Sequence, residues 1–332
     1  MDLKQLRAFV TIAETGNLTR AAELLHLVQP AVSRQLRLLE DDVGAQLFRR
    51  ERHGMALTDA GRALLAHARR ALLELDRGRA ELRGTTQEPA GIVTVGLLPS
   101  TVGVLGSALV HAVAARHPRI GLRIVVGYAG TLQQWLEGGE IDVAVLYGVE
   151  HASRLRAQPL LAEPLWVAGP ASAGLRAAQP VPLAQLASRP LVLPNGPQGL
   201  RTLLDHACAV AGVGLTAAAE TNAMDAQKAL VIGGHGWTVL PPIAFAAELG
   251  AGLLSGAPLA DPRIERTIAL ALPAHRDGGA HVVRVAALLE DCARRAVAQG
   301  GWPEARWVGP DLPPPGPAGT ARARSTEEKF LA

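Results

Sequence analysis

Cysteine, aromatic residues and long apolar runs are all scarce in this chain of 332 residues. Its two cysteines, Cys208 and Cys292, lie far apart and form no metal-like or disulfide-like spacing. Each reads as a small apolar helix residue. Aromatics make up only 3% of the chain while hydrophobic residues make up 48%, so the core must be built from Leu, Val and Ala. The longest apolar stretches, residues 92–98 and 141–146, are strand-length and fall short of the roughly 20 residues a membrane-spanning helix needs. The first residues run straight into amphipathic sequence without an apolar leader, and a cytosolic protein is expected. Three signatures of catalysis are missing: His-Glu-x-x-His, a phosphate loop ending in Gly-Lys-Ser/Thr, and Gly-x-Ser-x-Gly. The ten histidines are scattered. No metal, no cofactor and no enzymatic activity are expected.

A strong charge of one sign is also absent: the formal net charge is +3. Its distribution is uneven. Residues 1–84 hold 14 Lys and Arg against 11 Asp and Glu, and the other 248 residues hold 19 of each. The excess is too small to establish nucleic-acid binding by itself, so the placement of the arginines must carry that argument.

What is present begins with helical spacing. Leu3, Leu6, Phe9, Val10 and Ala13 mark a first helix that ends near Gly16. Thr19 is positioned to cap a second helix over 20–25. His26-Leu27-Val28 form a turn, and Pro30 suits the first turn of a third helix. That helix turns Leu36, Leu39 and Val43 to the core and stops near Gly44. The layout is a helix-turn-helix, whose second helix enters the major groove of DNA. Gln29 can present a donor–acceptor pair to adenine, and Ser33, Arg34 and Arg37 project from the following turns toward bases or phosphates. Thr19 and Pro30 flank this surface. Residues 44–57 fit a small β wing carrying Arg49, Arg50 and Arg52. From Asp59 one long helix follows, with Leu64, Ala68, Ala71, Leu75 and Leu82 at roughly seven-residue spacing, a seam that calls for a partner helix.

A polar hinge over 84–91 separates this part from an alternation of strands and helices. Strands are expected at 92–98, 122–126, 141–146, 165–168, 191–194, 215–219, 237–240 and 264–272. Helices are expected at 105–116, 131–137, 183–186, 199–210, 225–233 and 281–298. Such alternation implies mainly parallel sheet covered on both faces, here arranged as two α/β lobes. The strands near Leu165 and Ile268 are expected to cross between them. Residues 301–332, rich in Pro, read as a disordered tail.

Residues 19–61 in particular, with the later runs 138–145 and 233–241, give the chain a resemblance to LysR-type transcriptional regulators that extends over about residues 3–300. The resemblance implies an α+β multidomain protein. Residues 1–58 would be a winged helix-turn-helix DNA-binding domain, and 59–90 a linker helix for dimerisation with a hinge. Residues 91–300 would be an effector-binding domain like the periplasmic binding proteins, with lobe I at about 91–163 and 267–300 and lobe II at about 164–266. It also implies homodimers that assemble into homotetramers on promoter DNA, and a small-molecule effector, often a carboxylate, bound between the lobes. Two positions depart from the family pattern. Val28 stands where Ser or Thr usually precedes Gln-Pro, and His53 stands where the wing commonly has a second arginine.

In folds of this kind ligands bind at strand carboxyl ends and helix starts. Candidates from lobe I are Ser100 and Thr101 after the first strand, Gly130 and Thr131 at the next helix start, and Tyr147. Those from lobe II are Asn195, Gln198, Gly199, Arg201 and Thr221. Arg201 could equally form a surface ion pair. Two rival readings are a solute-binding protein whose first helices only dimerise, and an α/β enzyme. The Gln29/Arg34/Arg37 face and the missing leader oppose the first. The absence of a candidate catalytic pair opposes the second.

Overall fold

A computed structural model describes residues 1–51, 54–83, 89–149, 152–196, 199–274 and 279–310. The chain divides into two units, one holding Met1–Gln87 and one beginning at Glu88.

In the first unit, α1 (Leu3–Thr15) is started by a reciprocal cap. The Asp2 carboxylate accepts the Gln5 N–H at 2.9 Å, and the Gln5 amide oxygen accepts the Asp2 N–H at 2.8 Å. Gly16, left-handed at φ 63°, ends it. α2 (Leu18–Leu24) is capped by Asn17, whose Oδ1 accepts the N–H groups of Thr19 and Arg20. The cap expected at Thr19 is therefore two residues earlier: the helix starts at Leu18, and its open first-turn donors are the Thr19 and Arg20 N–H groups that Asn17 accepts. α3 (Gln29–Val43) follows and ends at left-handed Gly44. It buries Val32, Leu36 and Leu39, whereas Val43, expected in the core, is 37% exposed.

The wing is the antiparallel pair β1 (Phe48–Glu51) and β2 (Gly54–Leu57). Phe48 reaches into the core, edge-on to Phe9 with ring centres 5.5 Å apart. The long helix α4 (Asp59–Arg83) is capped by Thr58, whose Oγ1 accepts the Gly61 N–H. Its seam is split. Leu64 and Ala68 pack into the core of their own unit, joined there by Leu72 from outside the expected seam, while Ala71 and Leu75 stay exposed. The Leu82 side chain, Arg52, His53 and most of the hinge lie outside the described residues.

The second unit has two cores. Its first part comprises β3 (Gly91–Leu97), α5 (Val102–Arg116), β4 (Ile120–Val126), α6 (Ala129–Gly138), β5 (Val143–Leu146) and β6 (Leu155–Pro164). Next come β7 (Trp166–Pro170), β8 (Val181–Pro182), α7 (Leu183–Leu186), β9 (Leu191–Pro194), α8 (Gly199–Ala211), β10 (Ala217–Thr221) and α9 (Met224–Ile232). The chain then forms β11 (Thr238–Leu240), α10 (Ala246–Gly250), β12 (Leu254–Ala260), β13 (Glu265–Pro273), α11 (Ala280–Ala298) and β14 (Arg306–Trp307).

One sheet has the order β14-β6-β13-β5-β3-β4. Within it β4, β3 and β5 are parallel, and β13 runs antiparallel to β5 and β6. The second lobe joins β11-β7-β12-β8 to the parallel pair β9 and β10 through a bridge at Leu191 and Trp237.

Two further expectations are corrected. The outgoing crossover is β6, ahead of the strand near Leu165, and it pairs with the returning β13 along nearly its whole length. The interior Pro159 and the alternating polar residues at 156 and 158 hid this strand; a register shift between Ile268 and Ala269 accommodates the irregularity. The disordered tail does not begin at Gly301. Trp302 is 1% exposed, and β14 adds to the edge of the large sheet beside β6. A single buried indole anchors a stretch whose proline content alone argues for disorder.

Candidate nucleic-acid interface and effector cleft

On the first unit the exposed face of α3 presents Gln29, Pro30, Arg34 and Arg37, with Ser33 half-buried beside them. A groove of about 830 Å³ runs between this helix and the wing, lined by Ser33, Arg37, Gln46, Arg49 and Arg50 among others. The angle between helix and wing is fixed from below. The Glu40 carboxylate accepts the N–H of Leu47 at 2.8 Å and of Phe48 at 3.4 Å. The wing is tied on its far side by the Met55 N–H, which donates to the Gly16 carbonyl at 2.7 Å. Gly54, at φ 141°, leaves room there: a Cβ would stand 2.2 Å from the Gly16 oxygen. Arg34, Arg37 and Arg50 therefore offer cations along one surface, while Arg49 shares its charge with Glu51.

In the second unit, the starts of α5, α6, α8 and α9 converge on a cleft between the two cores. Tyr147 and Arg266 divide it. The inner cavity, about 40 Å³, has mostly apolar walls such as Leu98, Leu200, Met224 and Leu240, with Ser100, Tyr128, Asn195, Asn222 and Gln227 as polar points. A space of that size holds about one water. The outer cavity is about 400 Å³ and meets Gly130, Gln133, Gly199, Thr202, Glu265 and Thr267.

Arg266 is the cation common to both. It sits on β13 opposite Glu163 of β6, and both side chains are buried. Its Nε donates to Glu163 Oε1 at 2.7 Å, and its Nη2 donates to the Ser100 hydroxyl at 2.9 Å. Its guanidinium lies over the Tyr147 ring, 4.6 Å from the centre. The other carboxylate oxygen of Glu163 accepts the Trp302 indole N–H at 2.8 Å. The buried carboxylate is thus satisfied on both oxygens, as burial of a charge demands. Burial pushes the Tyr128 phenol up from its ordinary value, against the opposing hydrogen bond with the Met224 backbone, so it faces the cavity as a neutral group.

The family model described as "Bacterial regulatory helix-turn-helix protein, lysR family" matches residues 3–62, and the one described as "LysR substrate binding domain" matches residues 86–294. The chain belongs to the LysR family of transcriptional regulators. This regulator is 30% identical over 275 residues to the nitrogen assimilation regulatory protein nac of Klebsiella aerogenes, covering 82% of this chain and 89% of that one. It is 32% identical over 271 residues to the HTH-type transcriptional regulator CfxR of Cupriavidus necator, covering 80% and 84%. Among solved structures, full-length OxyR from Pseudomonas aeruginosa superposes with a TM-score of 0.66 at 25% identity, covering 89% of this chain and 95% of that one. Full-length CbnR in complex with its target DNA gives 0.64 at 25% identity, covering 89% and 100%.

The cleft of this LysR-family regulator gathers some of the residues its sequence singled out and leaves others aside. Ser100, Tyr147 and Asn195 line the inner cavity, and Gly130, Gly199 and again Tyr147 line the outer one. Thr101 is fully buried, and its hydroxyl donates back to the Leu98 carbonyl at 3.0 Å, so its side chain makes no cap hydrogen bond to α5 and lines neither cavity. Arg201 is an ion-pair residue: Nε meets Asp205 at 2.8 Å and Nη1 meets Glu220 at 2.7 Å. Those carboxylates, Glu220 first, raise its already high pKa further. The Thr221 hydroxyl accepts the Ala223 N–H, leaving Asn222 as the wall residue. Thr131 lines neither cavity. Gln198 lies outside the described residues.

Sequence reasoning missed Arg266, Glu163, Tyr128 and Trp302. One signal was available: a lone Arg in the apolar strand 264–272, where a charge survives only with a buried partner. The two cysteines are sheltered in separate cores. Burial pushes both thiols up from their ordinary value, which keeps them protonated and unreactive near neutral pH.

Proposed function

We propose that α3 reads operator bases through Gln29, Ser33 and Arg34, that Arg37, Arg50 and Arg52 hold phosphates with Thr19 and Pro30 at the margin, and that a small molecule in the cleft tunes this binding. The chain acts as a regulator and not as an enzyme, in the cytoplasm, as a dimer paired through α4 that further assembles to a tetramer. The observation that carries the DNA-reading half is the exposure of Gln29, Arg34 and Arg37 on one face of a helix that packs its other face into the core through Val32, Leu36 and Leu39. Arg37 of that face and Arg50 of the wing border one groove, so helix and wing present cations to the same space. Gel shifts with the regulator's own upstream DNA test it. Gln29→Ala and Arg34→Ala should each weaken specific binding by about 1–3 kcal/mol, roughly 5- to 150-fold. Unchanged binding in both variants would rule the reading out.

The effector half rests on four helix starts around one arginine. Helix amino-termini carry partial positive charge, and together with Arg266 and Ser100 they favour a carboxylate or another strong acceptor. The inner cavity is too small for a metabolite as it stands, so a ligand reaching Ser100 must part the lobes or swing Tyr147, while the outer cavity of about 400 Å³ already has room for one beside Arg266. Ligand then acts by its differential affinity for the two arrangements. A thermal-shift screen of small carboxylates should find at least one that raises Tm, and Ser100→Ala should reduce that shift. An undiminished shift would place the ligand elsewhere.

A further inference from the structure

The turn between α2 and α3 exposes apolar surface that the head's own packing does not use. Leu27 is 49% exposed and Val28 is 69% exposed. His26, at φ 53°, takes the left-handed conformation that swings the chain out of α2. Val28 is then the amino-terminal cap of α3, in extended conformation at φ −80° and ψ 144°. Its carbonyl accepts the Ala31 N–H at 2.9 Å and the Val32 N–H at 3.4 Å, and its side chain makes no cap hydrogen bond. Ser, Thr, Asp or Asn at this position would satisfy an open donor of the first turn. The chain forgoes that bond and holds an isopropyl group in water, next to the exposed Gln29 and on the same helix end that the DNA reading sends into the groove.

In the major groove one base-edge feature suits an apolar carbon: the C5-methyl of thymine. An A·T pair shows it beside the adenine N6 and N7 atoms that a glutamine side chain can bind. A β-branched residue is stiff at χ1, so its methyl groups are held in place for such a contact. Arg37 and Arg50, exposed on the same unit, supply cations for the phosphates. We propose that Val28 is a specificity-determining residue that packs on a thymine methyl in each half-site, next to the adenine read by Gln29. The proposal rests on the DNA-reading function given above.

Its test can fail separately from that function. The full chain selects duplexes from a randomised double-stranded library. The tightest duplex is then remade with each dT replaced singly by dU, which removes one methyl and nothing else. Wild type should lose about fourfold in affinity at one thymine per half-site, the effect of unburying one methyl. Val28→Ser, which also restores a cap, should erase that dT/dU difference while still requiring the adjacent adenine. Leu27→Ser, in the same turn, should leave the difference intact. Insensitivity to every dU, a difference that survives in Val28→Ser, or one erased by Leu27→Ser instead would each overturn the assignment to Val28. Failure of the wild-type chain to select any sequence would remove the DNA-reading function itself and this inference with it.

Discussion

At the scale of single residues, close approaches of backbone decide where glycine is required. Gly61 lies in the first turn of α4, against the Leu47 carbonyl that leads into the wing. A Cβ there would stand 2.1 Å from that oxygen and 2.9 Å from a Leu57 methyl. Gly61→Ala should therefore destabilise the head by about 1–3 kcal/mol, despite the better helix propensity of alanine. Thermal melts of the full chain check this, and a rise in Tm would show that the wing yields freely. Gly61 was legible only as part of a pattern, since its reason is a contact with a residue on another element. Gln29, Arg34 and Arg37 were legible individually, because turn residues, an early proline and apolar spacing together fix which face of α3 is left over. The cleft was less so. Ser100, Tyr147 and Asn195 follow strand ends, which a sequence marks well. Arg266 and Glu163 matter through each other across 103 positions, and no local signal couples them.

Among elements, β14 and the turn before it form a strap along the outgoing crossover. The Val308 and Gly309 N–H groups both donate to the Leu160 carbonyl, and Arg294 lies 5.2 Å from the centre of the Trp307 ring. Trp302 then connects this strap to the cleft through Glu163, Arg266 and Ser100. Ending the chain after Gly300 should cost about 3–5 kcal/mol, the loss expected for a fully buried tryptophan, and lower Tm of the second unit by roughly 10 °C. An unchanged melt would support the disordered tail that the prolines imply. The elements read most easily from sequence were the helices with an apolar stripe and the strands of unbroken Val, Ile and Leu. The crossover β6 was not, since it carries Arg156, Gln158 and Pro159 in its first half and turns apolar only from Leu160. Two of the four described positions of the expected α4 seam, Leu64 and Ala68, also pack at home. That leaves Ala71 and Leu75 as the described seam positions open to a partner helix.

For the whole molecule, two copies of the head are proposed to read DNA together. Pairing through α4 would set two α3 helices on one side of the duplex, roughly 34–36 Å apart. The modest charge excess fits a protein whose affinity depends on a few well-placed arginines. Hydroxyl-radical footprinting of the full chain on its selected duplex measures this most directly. Two protected patches about one helical turn apart are expected, both fading in Gln29→Ala and Arg34→Ala. Uniform protection along the duplex, or paired patches that persist unchanged in both variants, would contradict this proposal.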